Sequence, residues 1–154
     1  MLNDKTIAVV IPAYNEEDQI GMVLENMPDF VDRMVVVNDL SGDRTAEIVK
    51  SCMENDRGDY RSPQIGPREI EQDFYNEAEM VLQEYDRQEI SHFVPSEVVN
   101  QQPGKDRLIL INQLRNGGVG AAIARGYKWC KDNNIDCTAV MAGDGQMDPS
   151  ELEA

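Results

Sequence analysis

A polar turn near the end of the chain combines a carboxylate, an amide and two glycines at a spacing suited to cation binding. The turn is Gly143-Asp144-Gly145-Gln146, and it follows the short apolar run 138–141. Glycine permits backbone angles that other residues resist, and ligands of open α/β sheets bind where strands end. Carboxylate and amide oxygens are ligands that Mg²⁺ accepts. Taken alone, the turn fits a cation site and a loop without chemistry equally well.

Three further apolar runs indicate the elements that would position this turn. They cover residues 6–11, 34–37 and 108–111, and like 138–141 they are short and mostly aliphatic. Such runs are typical of strands that are buried on both faces of a parallel sheet. Helical patterns separate them, so we predict an α/β fold with a doubly wound, mostly parallel sheet.

Local signals predict where these strands and helices begin and end. Pro12 is expected to end the first strand, Asn15 to cap the following helix and Asp43 to cap the next one. The helix that follows the glycine turn 116–120 is predicted to extend to about residue 131. Its expected core face consists of four side chains at helical spacing: Val119, Ile123, Tyr127 and Cys130.

Residues 51–106 differ from the alternating pattern on either side, and we predict that they are an insertion in a single domain spanning 1–154. Proline and glycine residues mark loops near both ends of the insertion. Between the loops, one face of an acidic amphipathic helix carries Ile70, Phe74, Ala78, Val81, Leu82 and Tyr85. We expect this apolar stripe to pack against the domain rather than to bind a partner.

The polar turns that follow the strands should meet at one edge of the sheet. They cover residues 12–17, 38–43 and 142–148, and parallel pairing brings the carboxyl ends of strands together. The glycine turn 116–120 joins them at the start of a helix, where negative charge is favoured. This turn does not match the dinucleotide-binding pattern G-x-G-x-x-G, and the chain contains no P-loop sequence.

The formal net charge of −15 excludes functions that depend on a basic surface. We expect no nucleic-acid partner, because nucleic acid binds to basic patches. An anionic ligand would need a cation, backbone N–H groups or a helix N-terminus to offset the charge. The chain has no apolar run long enough to cross a membrane and no secretory signal, and its three cysteines suit free thiols, so we predict a cytoplasmic location.

Four segments, taken in order, resemble inverting glycosyltransferases of family 2, which have the GT-A fold with its Rossmann-like nucleotide-binding half. Residues 10–17 are similar to the family's opening strand and turn, and residues 35–45 to its V-V-D-D-G-S-x-D-x-T segment. Residues 116–122 resemble its N-x-G-x-G-A-A turn. Residues 140–149 resemble the D-A-D-G-Q-x-D-P segment of polyprenyl- and dolichyl-phosphate sugar synthases. The resemblance covers the chain outside the insertion.

The chain departs from the family pattern at three positions. Asn38 and Leu40 stand where the family usually has Asp and Gly, and Ala142 replaces the first Asp of the D-x-D motif. The second Asp is retained as Asp144, and Gln146 is retained as well. The missing carboxylate is expected to weaken the affinity for a metal ion.

The resemblance implies an enzyme that transfers a hexose from a UDP- or GDP-linked sugar to an acceptor such as a polyprenyl phosphate, with inversion. Mg²⁺ or Mn²⁺ would be bound by Asp144 with help from Gln146. The same resemblance implies that the full-length protein associates with the cytoplasmic face of a membrane. The nucleotide sugar would contact Pro12, Ala13, Tyr14, Glu16, Asp39, Asn116, Gly118, Gly120 and Asp144.

In the family, the acceptor-binding half and the catalytic base follow the D-x-D segment, whereas only residues 150–154 follow it here. We therefore expect a fragment or a truncated gene product that lacks activity alone, and no catalytic residue is assigned. One alternative is a non-catalytic nucleotide-sugar-binding or interaction module that uses residues 51–106 as its contact surface. A sugar nucleotidyltransferase is disfavoured, because its first strand should lead into a Gly-rich, basic loop unlike residues 12–16.

Overall fold

The computed structural model describes residues 1–56, 63–71 and 73–153. The strands are β1 (Ile7–Ala13), β2 (Arg33–Asn38), β3 (Ser96–Val98), β4 (Leu108–Gln113) and β5 (Cys137–Val140). The α-helices are α1 (Ile20–Glu25), α2 (Thr45–Asn55), α3 (Glu77–Glu89) and α4 (Val119–Asp132). Short 3₁₀ segments cover Phe74–Asn76, Ile90–His92 and Pro149–Glu153. None of the helices in the described ranges has the length and hydropathy needed to cross a bilayer.

These strands form one sheet in the order β3-β4-β2-β1-β5. Strands β1, β2, β4 and β5 are parallel, and β3 pairs antiparallel with β4 at one edge. The predicted α/β fold with a mostly parallel sheet is confirmed, and each predicted strand is present. The sequence did not predict β3, because this edge strand is short and follows Pro95 in a segment with loop composition.

Helices cover both faces of the sheet. On one face, Ile20 of α1 and Val49 of α2 pack in a core with Val9 of β1. On the other face, Trp129 of α4 packs in a second core with Val10 of β1. Successive side chains of a strand point to opposite faces, so the continuous apolar run of β1 supplies both cores. This explains why the run lacks an alternating polar residue.

Strand β1 continues past Pro12 to Ala13, so the prediction that Pro12 ends the strand is wrong. Pro12 pairs with Val37 of β2. The oxygen of Val10 accepts the N–H of Met141 at 3.0 Å, and backbone alternation places the nitrogen of Pro12 on this same side of the strand. The pairing of β5 with β1 ends at Val10. The proline therefore removes no ladder hydrogen bond, because β1 has no strand partner on this side beyond Val10.

Asn15 does not cap α1, contrary to the prediction. The helix begins at Ile20 with Gln19 at its N-cap, whereas Asn15 lies in the preceding loop with φ 54°. The Oδ1 of Asn15 accepts the N–H of Gly42 at 2.8 Å. Its side chain therefore joins the loop after β1 to the loop after β2. Asparagine tolerates the left-handed backbone conformation that this contact requires.

Asp43 lies one residue before Arg44, the N-cap of α2. Its Oδ1 accepts the N–H of Thr45 at 2.9 Å, which stabilises the first turn of the helix. Its Oδ2 accepts the N–H of Glu17 from the loop after β1 at 3.1 Å. Asp43 therefore binds the first turn of the helix from the position before the N-cap rather than as the predicted cap, and it also joins two loops, which the prediction missed.

The predicted core face of α4 is wrong at two positions. Val119 is 65% exposed and Tyr127 is 45% exposed. Small and basic residues make up most of the buried set, which is Ala122, Arg125, Gly126, Lys128, Trp129 and Cys130. Alanine and glycine carry little hydrophobic signal and buried basic residues oppose it, so a pattern built on large apolar residues placed the face wrongly.

Helix α4 crosses β1 so closely that Gly126 has no room for a side chain. A Cβ at this position would overlap Cγ1 of Val10 and lie 3.0 Å from its Cγ2. We expect Gly126→Ala to destabilise the chain by about 1–2 kcal/mol, because overpacking outweighs the gain in helix propensity. Urea unfolding measures the change in stability.

Gly120→Ala is the matched control on the same helix. Nothing lies within 4 Å of a Cβ at this position, so alanine should stabilise the helix by about 0.5–1 kcal/mol. Equal unfolding midpoints for the two variants would contradict the packing argument.

Residues 51–55 of the predicted insertion belong to α2, and residues 96–98 are strand β3 of the sheet, so the predicted bounds 51–106 do not match the elements. The segment between α2 and β3 is attached to the amino end of the sheet through Arg33. This residue begins β2 and is fully buried. Its Nη2 donates to the carbonyl oxygens of Pro63 at 2.6 Å and Gly104 at 2.9 Å. Part of the predicted loop before α3, residues 57–62, lies outside the described residues.

Helix α3 corresponds to the predicted amphipathic helix, but it begins at Glu77, so Ile70 and Phe74 of the predicted stripe lie before it. The expectation that the apolar stripe packs against the domain is also wrong. Among the stripe residues, Phe74 is 80% exposed and Tyr85 is 66% exposed. Val81 and Leu82 are exposed as well. The side of the helix that contacts the domain is the polar one, as the ion pairs described below show.

Candidate functional site

A cavity of about 370 Å³ lies at the carboxyl edge of the sheet, where β1, β2 and β5 end and α4 begins. Four segments that are distant in sequence form its wall, because parallel pairing brings their strand ends together. The lining residues are Pro12, Ala13, Tyr14, Glu16, Asp39, Asn116, Gly118, Val119, Ala122, Ala142, Gly143 and Asp144. Ligands of open α/β sheets bind at this position.

Eight of the nine residues predicted to contact a nucleotide sugar line this cavity. The ninth, Gly120 in the first turn of α4, does not line it. Gln146, predicted as a metal ligand, is exposed and is not part of the wall. Val119 and Ala122 line the cavity but were not predicted, although their position next to the glycine turn was an available signal.

The carboxylate of Asp39 joins the end of β2 to the start of α4. Asp39 is 3% exposed, and its two oxygens accept the N–H groups of Gly117 at 2.7 Å and Gly118 at 2.8 Å. The Nδ2 of Asn116 donates to the backbone oxygen of Asp39 at 3.1 Å. A buried carboxylate needs such bonds, because its desolvation is otherwise costly. Sequence reasoning assigned Asp39 to a ligand and missed this contact, which no local spacing reports.

The start of α4 forms one side of the cavity. Gly118 is the N-cap of this helix, and its φ of 83° lies in the left-handed region that favours glycine. The first N–H groups of an α-helix have no partner within the helix, and the helix dipole adds partial positive charge there. This end of α4 can therefore offset part of the negative charge of the chain near an anionic ligand.

The loop after β1 is held against the segment after β2 by its own backbone N–H groups. The N–H of Asn15 donates to Oγ of Ser41 at 3.0 Å, and that of Glu16 donates to Oγ1 of Thr45 at 2.9 Å. Together with the Asn15 and Asp43 side-chain contacts, these bonds fix the backbone that carries Tyr14 and Glu16. Contacts within the chain therefore hold the cavity wall on this side in place.

The departures at Asn38 and Leu40 lie beside the cavity. The Nδ2 of Asn38 donates to Oδ1 of Asn112 at 3.0 Å, and its Oδ1 accepts the N–H of Ser41 at 3.1 Å. An amide can both donate and accept, whereas an ionised carboxylate only accepts. Leu40 is 52% exposed and has φ 56°, a conformation that glycine adopts without strain. The backbone here thus keeps a glycine-like conformation without the glycine.

Asp144 follows β5 and lies on the cavity wall. Its Oδ1 accepts the N–H of Gln146 at 3.0 Å, and Gly145 between them has φ 72°. The backbone of Gln146 therefore contacts the side chain of Asp144. Metal binding by the side chain of Gln146 stays a prediction.

The described part of the chain contains no group of three or more His, Cys, Asp or Glu side chains that could hold a metal ion alone. Mg²⁺, however, is often bound by one or two carboxylates together with substrate phosphates and water. Asp144 and Glu16 line the same cavity and supply carboxylates of this kind. The residues present therefore fit a divalent cation whose remaining ligands come from a diphosphate.

The carboxyl group of Glu16 lies near the negatively charged side chains of Asp144 and Asp43. Partial burial, followed by the charges of Asp144 and Asp43, raises the pKa of Glu16 above its usual 4.5. A carboxyl group whose pKa is higher in the folded chain than in the unfolded chain makes folding less favourable as the pH rises through that range. Glu16 therefore costs stability at neutral pH when no cation is bound.

Glu16→Gln should stabilise the free chain at pH 7 by no more than about 1 kcal/mol, because the Glu16 side chain is only half-buried and water screens its charge. The gain should disappear well below pH 4.5, where Glu16 is protonated in both states. Urea unfolding at the two pH values, without divalent cations, measures the difference. Asp18→Asn, on the exposed surface of the same loop, is the control. A gain that persists unchanged in acid would contradict the charge argument.

Comparisons with known proteins bear on the fold and on part of the site. Residues 8–64 match the family model described as Glycosyl transferase family 2. Six chains of solved structures match, and one of them is the crystal structure of S. aureus TarS 1-349, with a TM-score of 0.51 and 17% sequence identity. That match covers 96% of this chain and 30% of the TarS chain. No match is found among curated proteins.

The family match includes β1, α1, β2 and α2, together with the turns that place Tyr14, Glu16 and Asp39 at the cavity. The structural match extends the agreement in fold over nearly the whole chain, although the chain spans only 30% of TarS. Residues 8–64 are thus similar to glycosyltransferase family 2, and nearly the whole chain has an α/β fold similar to that of TarS.

Proposed function

We propose that this chain is the donor-binding part of a glycosyltransferase of family 2. The enzyme transfers a hexose from a UDP- or GDP-linked sugar to an acceptor such as a polyprenyl phosphate, with inversion at the anomeric carbon. The observation that carries the proposal is the cavity at the carboxyl edge, which the family-matched segment 8–64 shares with the glycine turn and the Asp144 turn.

The walls of the cavity suit the parts of a nucleotide sugar. Asp39 keeps lone pairs beyond those that bind Gly117 and Gly118, so it can accept an N–H group of uracil or guanine. The N–H groups in the first turn of α4 are suited to phosphate oxygens, whereas those of Gly117 and Gly118 are already bonded to Asp39. The exposed ring of Tyr14 offers an apolar surface on the cavity wall.

Asp144 would hold Mg²⁺ or Mn²⁺ together with the diphosphate, with Glu16 as its neighbour and Gln146 as an additional ligand. When bound, the cation would neutralise the charge that develops on the leaving diphosphate. We assign no catalytic base among the residues of the cavity wall. The base and the acceptor site are proposed to belong to other parts of the enzyme.

Calorimetric titration of the folded chain with UDP and GDP tests the donor site. We expect one of the two nucleotides to bind in the presence of Mn²⁺ and to bind more weakly when EDTA removes the cation. ADP is the control, because its base presents a different arrangement of donors and acceptors. If neither UDP nor GDP binds at millimolar concentration, the donor-site proposal fails.

A further inference from the structure

Helix α3 is attached to the rest of the chain through its polar side. Arg68 forms an ion pair with Glu79 at 2.7 Å, and the Nε2 of Gln83 donates to the backbone oxygen of Arg68 at 2.6 Å. Lys131 of α4 forms an ion pair with Asp86 at 2.7 Å. Glu79, Gln83 and Asp86 recur at helical spacing, so they define the side of α3 that faces the domain.

Lys128 of α4 holds the C-terminal half of α3 in the same orientation. Its side chain is buried, and its ammonium group contacts the backbone oxygen of Asp86 and the carboxylates of Asp132 at 2.6 Å and Glu89 at 3.5 Å. A buried ammonium is stable only with such partners. Rotation of α3 about its axis would break these contacts, so the orientation of the helix is fixed.

The side of α3 next to these contacts is apolar and exposed, and Leu82 at its edge borders the groove lined by Asp86 and Lys131. Val81 is 53% exposed, Leu82 64% and Tyr85 66%, and Ala78 is exposed as well. We call these four residues the α3 stripe. Their spacing of i, i+3, i+4 and i+7 is that of a helix face that packs against other elements. An amphipathic helix that turns its polar side inward and its apolar stripe outward indicates an interaction surface.

The charge around the α3 stripe limits what can bind there. Residues 69–89 contain eight acidic residues and one basic residue, Arg87. Four of the carboxylates form ion pairs with Arg68, Arg87, Lys128 or Lys131, namely those of Glu79, Glu84, Asp86 and Glu89, so the surroundings of the stripe keep a smaller net negative charge. Glu77 and Glu84 are exposed and lie beside the stripe on the helix surface. A second copy of the chain would bring these carboxylates against identical ones, which like-charge repulsion disfavours. Basic groups would instead be attracted beside the apolar contact, along the edge that carries Glu77 and Glu84.

We propose that the α3 stripe binds an amphipathic helix of a partner protein whose apolar face is flanked by lysine and arginine. The apolar spacing is that of helix-to-helix packing, and the acidic surroundings supply the charge complementarity. The 13 residues of α3 offer a contact about 20 Å long. Such a contact is smaller than a standard interface, so the complex is weak and transient.

A model peptide tests this surface. The probe is a labelled 14-residue helical peptide with leucine at i, i+3, i+4 and i+7 and lysine elsewhere, and fluorescence anisotropy measures its binding to the chain. The triple variant Val81→Ser, Leu82→Ser, Tyr85→Ser keeps the net charge and removes the apolar contact. We expect it to bind the peptide at least about tenfold more weakly than the wild type. The same peptide with glutamate in place of lysine should not bind.

The control variant is Met22→Ser, Leu114→Ser, which removes two exposed apolar side chains elsewhere on the chain. It should bind the lysine peptide as the wild type does, and circular dichroism checks that both variants are folded. Equal binding by the triple variant and the wild type would overturn the proposal, as would equal binding of the glutamate peptide. Dimerisation of the wild type that the triple variant abolishes would assign the surface to a second copy instead. These outcomes are separate from the nucleotide titration, because no residue of the stripe lines the cavity.

Discussion

Replacement of Asp144 by asparagine is expected to reduce nucleotide affinity in Mn²⁺ to the level measured in EDTA, a loss of at least about tenfold. Two unit charges 4 Å apart interact by about 4 kcal/mol at an effective dielectric constant near 20, and a divalent cation doubles this to about 8 kcal/mol, before desolvation is counted. A net loss of about 1.4 kcal/mol is enough for a tenfold change. The fold should be retained, because the asparagine side chain keeps an Oδ1 that can accept the N–H of Gln146 as Asp144 does.

Asp148→Asn is the matched control for this experiment. It makes the same chemical change in the following turn, where Asp148 accepts the N–H of Ser150 at 2.9 Å and lies outside the cavity wall. Calorimetry of both variants with UDP or GDP, with and without Mn²⁺, decides the assignment. Equal cation-dependent affinity in the wild type and in Asp144→Asn would mean that the cation is held elsewhere.

Replacement of Asp39 by asparagine is expected to lower both stability and nucleotide affinity. The new amide group would direct an N–H donor at the N–H of Gly117 or Gly118, so that one buried hydrogen bond is lost and a donor is left unpaired. The expected cost is about 2 kcal/mol, which lowers the Tm of a domain of this size by roughly 4–8 °C. Nucleotide affinity falls with it, because the N-terminus of α4 loses its connection to β2.

Differential scanning calorimetry with and without nucleotide measures both effects of Asp39→Asn. Asn116→Ala is an informative comparison, since it removes one hydrogen bond to the backbone of Asp39 and should cost only about 1 kcal/mol. Asp18→Asn, on the exposed surface, should change stability by less than about 0.5 kcal/mol. An unchanged Tm for Asp39→Asn would show that the carboxylate does not hold the glycine turn.

The parallel sheet could be predicted because its strands are buried on both faces. A continuous apolar run such as 34–37 in a strongly charged chain is typical of a strand that is buried on both faces. The edge strand β3 could not be predicted, because its residues are only partly buried or exposed and carry no such run. The buried face of α4 was also predicted wrongly. Close packing on Val10 requires the small residue Gly126, and glycine contributes nothing to a hydrophobic pattern.

The segments of the candidate site could be predicted, because each follows a strand and parallel pairing collects the strand ends at one edge. The contacts within the site could not be. Asn15 has the composition of a helix cap and instead binds Gly42, and Asp39 binds the backbone of the glycine turn. These pairings join residues that are distant in sequence, and their geometry exists only once the sheet has formed.

The close packing of Gly126 on Val10 limits the energetic coupling between the two ends of α4. One end of this helix borders the cavity, and the other end carries Lys128 and Lys131, which hold α3. Coupling between distant sites requires an element with two discrete arrangements that both ligands bias. Helix α4 packs on β1 without space for a methyl group at Gly126, so it cannot shift along the strand to a second position. Nucleotide and partner helix should therefore have additive binding free energies, so that neither ligand changes the affinity for the other.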